Sequence, residues 1–190
     1  MLNYVRDAHD EALEMAHGLT DGVGLVGYGI AELYDRAGNL KSIAPFANLV
    51  TDAGDLYYAQ KLIAGIAPVS PGAPTAMNGM KLGTGATTVS KLGAGAILSA
   101  YLSASNVAFD TSYPQTSNLG TTLGVLAVYK TTWPGTGLAG SITEAALVSD
   151  QATNANADAS HTYCRSTFAV QTKGGTDTFA ITWNHKMLGA

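Results

Sequence analysis

The most regular alternation of apolar and polar positions runs from Thr162 to Leu188. Tyr163, Arg165, Thr167, Ala169 and Gln171 interleave with Cys164, Ser166, Phe168 and Val170; beyond Gly174-Gly175, Phe179, Ile181 and Trp183 share one face. A period of two marks a strand, because successive side chains point to opposite sides of the backbone. Two such runs around a glycine pair predict a β-hairpin, with Gly174 and Gly175 supplying positive φ at a tight turn. The same logic predicts a second hairpin: a strand over Tyr28–Tyr34, a turn over 35–39 and a return strand over Leu40–Phe46, where Pro45 points to an edge.

Helical periodicity occurs twice. Residues 2–17 gather Leu2, Val5, His9, Ala12, Leu13 and Ala16 on one side and stop at Gly18. That stripe is too narrow to hold a free helix, so it is expected to lie on another surface. Residues 51–65 form the clearest helix, with Asp52 as N-cap and Asp55 three positions on, both complementing the positive end of the helix dipole. Leu56, Ala59, Ile63 and Ile66 fall on its expected buried face, and Gly65 can end it.

Pro68, Pro71, Gly72 and Pro74 mark residues 67–76 as a linker. Beyond it, strands are expected at 77–85, 98–103, 123–133 and 141–148, and loops at 106–120 and 150–160. The pattern therefore predicts a mainly β (α+β) chain: an antiparallel β-sandwich or jelly-roll-like domain over 77–190, with a helix, hairpin and helix over 1–66 appended to it.

Composition changes this picture in one respect. Charged residues make up 13% of the chain, about half the usual share of roughly 25%. Residues 1–55 carry nine acids and three bases, net −6, whereas residues 56–190 carry five acids and seven bases, net +2. A surface so poor in charge suggests that partners cover much of it. Without a cluster of Lys and Arg, nucleic acid is not an expected partner. The lone Cys164 excludes a disulfide within the chain, and its position in the alternation points it inward as a buried thiol. Asp7, Asp10, Glu11 and Glu14 interrupt the N-terminus, and no apolar run approaches the roughly 18 residues of a membrane span, so neither signal peptide nor membrane insertion is expected.

Candidate chemistry is sparse. Gly22, Gly24 and Gly27 match the dinucleotide-binding spacing, but a helix precedes them and a strand follows, the reverse of what that motif requires. Gly83, Gly85, Thr87, Thr88 and Lys91 fail the phosphate-loop spacing. His9, His17, His161 and His185 lack zinc-motif spacing, and no Gly-x-Ser-x-Gly elbow occurs. Asp52 and Asp55 are explained as helix caps. Glu144, alone in a neutral strand, is expected to pair with Arg165 on a neighbouring strand, because a buried charge is costly unless satisfied. No catalytic, cofactor-binding or metal-binding residue is therefore expected, nor enzymatic activity. Asp52, Asp55, Glu144, Arg165 and Trp183 are the structural or interface candidates.

Several blocks resemble small structural proteins of tailed-bacteriophage virions. They are Asn48–Tyr58, the Met80-Lys81-Leu82-Gly83-Thr84-Gly85 run, Ile142–Val148 and Asp177–Lys186. The Ile-x-Glu strand, an Arg-containing strand, a Lys turn and a closing Thr-Trp strand resemble the β-domain of capsid decoration and tail-associated proteins; the N-terminal helix does not align. The resemblance implies a capsid cement protein, expected as a homotrimer, that binds the assembled major capsid protein through its N-terminal region on the virion surface. Second to that reading, it admits a neck, tail or fibre-base component. A carbohydrate-binding module is a further possibility, given two tryptophans and nine tyrosines able to stack on sugars.

Overall fold

The computed structural model describes residues 25–63, 75–118 and 124–187. The helix expected at 2–17 and nearly all of the linker lie outside them. The chain opens with β1 (Leu25–Tyr34) and β2 (Leu40–Ala47), paired antiparallel. The turn between them is an Asx turn: the Asp35 carboxylate accepts the Ala37 and Asn39 N–H groups at 2.8 Å, and Gly38 takes φ +84°. Short β3 (Leu49–Val50) leads into helix α1 (Asp52–Ile63). Then follow β4 (Gly79–Gly83), β5 (Val107–Ala108), β6 (Gln115–Asn118), β7 (Val125–Trp133), β8 (Gly140–Val148), β9 (Thr162–Lys173) and β10 (Thr178–Met187).

These strands form two five-stranded antiparallel sheets. The first has the order β2-β1-β10-β7-β6 and the second β3-β9-β8-β4-β5. Their facing sides enclose one core, in which Phe46 meets Trp183 edge-on at 5.0 Å and stacks on Phe168 at 5.5 Å, while Trp133 packs on Phe179 at 5.7 Å.

Two expectations are corrected by this topology. Thr162–Leu188 is not a hairpin: β9 and β10 belong to opposite sheets, and residues 174–177 form an arch between them. Gly174 and Gly175 are absent from the positive-φ positions, and the bend is closed instead by Asp177, whose carboxylate accepts the Gly174 N–H at 2.9 Å. Both strands bury apolar side chains toward each other, Phe168 facing Phe179 at 6.5 Å, a contact across the sandwich rather than along one sheet. The residue 25–47 hairpin is also no appendage. β1 pairs with β10 from Leu25↔Met187 to Tyr34↔Thr178, and Ala31, Leu33, Ala44 and Phe46 supply core. Detached, those side chains would face water.

The second sheet is covered on its outer side as well. Leu98 and Ala157 pack on Ala146 and Val148, which is why Thr162–Ser166 are buried without alternation. The strand expected at 98–103 contributes one bridge, Tyr101 to Gly83. The loop expected at 106–120 contains β5 and β6.

Helix α1 begins one residue earlier in its capping than Asp52 suggests. Thr51 is the N-cap: its Oγ1 accepts the Gly54 N–H at 3.1 Å and donates to the Thr162 carbonyl at 2.6 Å. Asp52 is the first helical residue, and Asp55 pairs with Lys91 on the surface. Thr51→Ala is therefore expected to cost about 1–2 kcal/mol and Asp52→Ala only a few tenths, measured by urea unfolding.

The face that α1 buries also differs from expectation: Leu56 and Ala59 are exposed, while Ala53, Tyr57 and Tyr58 pack on the core. Gly54 sets this rotation, since a Cβ there would lie 2.1 Å from the Tyr163 carbonyl oxygen. Gly54→Ala gains about 1 kcal/mol of helix propensity. Forcing helix and strand apart costs about 1–3 kcal/mol. The expected result is net destabilisation, with a lower urea midpoint.

Candidate functional site

β8 and β9 run antiparallel with Ala146 opposite Arg165 and Glu144 opposite Thr167, so Glu144 and Arg165 are diagonal neighbours on the sheet's outer side. Their side chains are wholly buried. Glu144 Oε2 accepts from Arg165 Nη2 at 2.5 Å and from Nε at 3.1 Å. The backbone N–H groups of Gly85, Ala100 and Ser99 donate to the same carboxylate at 3.0, 2.9 and 3.1 Å. Arg165 also donates to the carbonyls of Gly95 and Thr87, each at 2.9 Å.

This arrangement staples residues 85–100 onto the sheet. Burial alone would raise the Glu144 carboxyl, but the Arg165 bonds and the Ala100 and Ser99 N–H groups outweigh it and hold the group below its ordinary value. A Cβ on Gly83 would sit 2.4 Å from Glu144 Oε1, and one on Gly85 would sit 2.7 Å from it. The Gly-Thr-Gly run is thus the space in which the carboxylate sits.

Other charges are used the same way. Buried Lys81 donates to Asp150 Oδ1 and the Ala155 carbonyl, each at 2.9 Å. Lys173 donates to the Leu138 carbonyl at 2.8 Å, and its ammonium is shifted down by burial. Asp177, at the arch, receives Lys41 at 2.7 Å. Of the twelve charged residues between 56 and 190, five (Lys81, Glu144, Arg165, Lys173 and Asp177) are buried.

A second polar cluster, which sequence reasoning missed, lies inside the sandwich beside α1. Cys164 Sγ stands 3.5 Å from His185 Nε2, Tyr58 Oη hydrogen-bonds His185 Nδ1, and the Tyr129 ring meets the imidazole edge-on at 5.3 Å. Burial raises the Tyr58 phenol far above its ordinary range and pushes Tyr129 up to about 12. Cys164, His185, Tyr58 and Tyr129 thus form a buried cluster that contains no carboxylate and no ammonium group. Burial raises the Cys164 thiol well above its usual value and lowers His185 to about 3.

Cys164 and His185 are 21 residues apart on strands of opposite sheets, so no spacing rule connects them. The available signal was that each falls at an inward position of its strand. Trp183 and Trp133 are core residues, the latter donating to the Ser105 carbonyl at 2.8 Å, so neither is presented for sugar stacking. Among the described residues, no group of three or more His, Cys, Asp and Glu side chains could hold a metal ion. No helix among them is long and apolar enough to cross a membrane.

Fold and site together define a class: an antiparallel β-sandwich poor in charge, with five charged side chains buried as internal staples. No family model, curated protein or solved structure matches the chain.

Proposed function

We propose that this chain is a structural protein of a tailed-phage virion, a capsid cement protein that binds the assembled major capsid lattice as a homo-oligomer, expected to be a trimer. The observation that carries the reading is the placement of charge. Of the eighteen charged residues between 25 and 190, five are buried, so the sandwich presents a surface rich in Thr, Ser, Ala and Gly with few solvated ions, as suits a face covered by neighbouring subunits. The internal staples give such a subunit a fixed shape to dock. Its mechanism is mass action: a protein that binds only the assembled shell stabilises that shell in proportion to its occupancy.

Quantitative mass spectrometry of purified virions against the major capsid protein tests this. Hundreds of copies per particle are expected. A dozen or fewer would transfer the chain to the neck, tail or fibre base, and absence from the particle would overturn the structural role.

A further inference from the structure

α1 is attached differently from the strands beside it. β10 is held on both sides, by β1 and by β7, through ladders of ten and nine paired residues. α1 is held by side chains, its cap and one backbone bond: Tyr57 stacks on Tyr163 at 4.9 Å, Tyr58 reaches His185, Thr51 binds β9 carbonyls, Asp55 meets Lys91 in solvent, and the Asp52 N–H donates to the Lys91 carbonyl at 3.2 Å. An exposed ion pair of that kind contributes little. α1 is therefore the element that can leave without breaking a strand ladder.

His185 is wholly buried. The titratable groups facing it are Cys164 from β9, Tyr58 from α1 and Tyr129 from β7, all uncharged. From β1 its register partner is Gly27, without a side chain. On its own strand, Lys186 and Asn184 alternate to the other face. Asp55 acts on Cys164 through space, but it is exposed on α1. An imidazolium carries a hydrogen on both ring nitrogens, so protonation would turn one hydrogen toward the phenol and one toward the thiol and create a cation with no facing carboxylate.

We propose that α1 is an acid-released latch: protonation of His185 displaces Tyr58 and lifts residues 52–63 from the sandwich while both sheets remain paired. Buried, the ring takes up a proton only near pH 3; exposed to water it does so near 6.5. Going from pH 7 to pH 4 therefore favours the lifted form by on the order of a hundredfold.

Hydrogen exchange of the full chain at pH 7 and pH 4, corrected for intrinsic exchange rates, tests the latch. Peptides covering 52–63 are expected to exchange about a hundredfold faster at pH 4 and, at that pH, well ahead of those of β7 and β10, which exchange only through global unfolding. Exchange of α1 and β10 at one common rate at pH 4, or unchanged protection of α1, would overturn the proposal. These outcomes decide the matter in the unmodified chain. His185→Phe, if it folds, is expected to abolish the pH dependence at α1, and persistence of that dependence would also count against the latch.

Discussion

Arg165→Ala is expected to destabilise the protein by about 3–5 kcal/mol at pH 7, because it leaves a fully buried carboxylate without its cation. The three backbone N–H groups that remain on Glu144 soften this loss, but they cannot supply a countercharge. The variant's Glu144 should consequently titrate above its ordinary 4.5 rather than below it, since burial then acts with its main opponent gone. The deficit relative to the parent protein should thus shrink as pH falls toward 4. Urea unfolding at pH 7 and pH 4 measures both statements. The double variant Glu144→Gln, Arg165→Met removes both charges and is expected to cost less than the single one, as buried pairs replaced together often do. A cost below about 1 kcal/mol for Arg165→Ala would show that the cover over 85–100 is held by its apolar contacts instead.

Acidification of the parent protein is the second large effect. An unfolded chain protonates His185 near 6.5, whereas the folded chain does so only near 3, through burial. Between these values the unfolded state binds more protons, so stability falls as pH falls, by up to about 1.4 kcal/mol per pH unit. Across the whole window the loss approaches about 4–5 kcal/mol, a large part of the roughly 5–15 kcal/mol that a domain has to lose. Glu144 has the opposite titration but the same consequence. Its folded value lies below 4.5, so its contribution is present above that pH and is lost below it as the folded group protonates. Urea unfolding at pH 7, 6, 5 and 4 should show decline beginning near 6.5. A profile flat down to pH 5 would mean that His185 is solvated in the folded state. In His185→Phe the decline should start only in the carboxylate range.

The latch and the global profile are separable, because one reads exchange within the folded state and the other reads complete unfolding. If α1 lifts first, peptides at 52–63 lose protection at a pH where the urea transition still shows a folded protein.

Alternation of side chains and turn signals located the long strands, though not the short β5 and β6. The Tyr28–Tyr34 and Leu40–Phe46 pair, and the segments at 125–133, 141–148, 162–173 and 178–187, are all β in the structure. The cost of burying an ion was equally legible, and it directed attention to Glu144 and Arg165, which the fold joins at 2.5 Å. Both signals are local: a pleat repeats every two residues whatever lies next to it, and a charge in an apolar run needs a partner in any fold.

Partner choice was a different matter. The alternation of β9 and β10 is the same whether they pair edge to edge or face each other across a core, and only the competing partners, β8 for one and β1 with β7 for the other, put them in opposite sheets. Likewise Thr51 and Asp52 can each cap a helix. The cap fell to Thr51 because Gly54 lets the helix approach the Tyr163 carbonyl, where a Cβ would lie 2.1 Å away. The buried cluster of Cys164, His185, Tyr58 and Tyr129 had no signature in spacing, since it draws on four elements. Period and capacity belong to the sequence; pairing across the core belongs to the tertiary structure, where burial of each face against every available partner is settled at once.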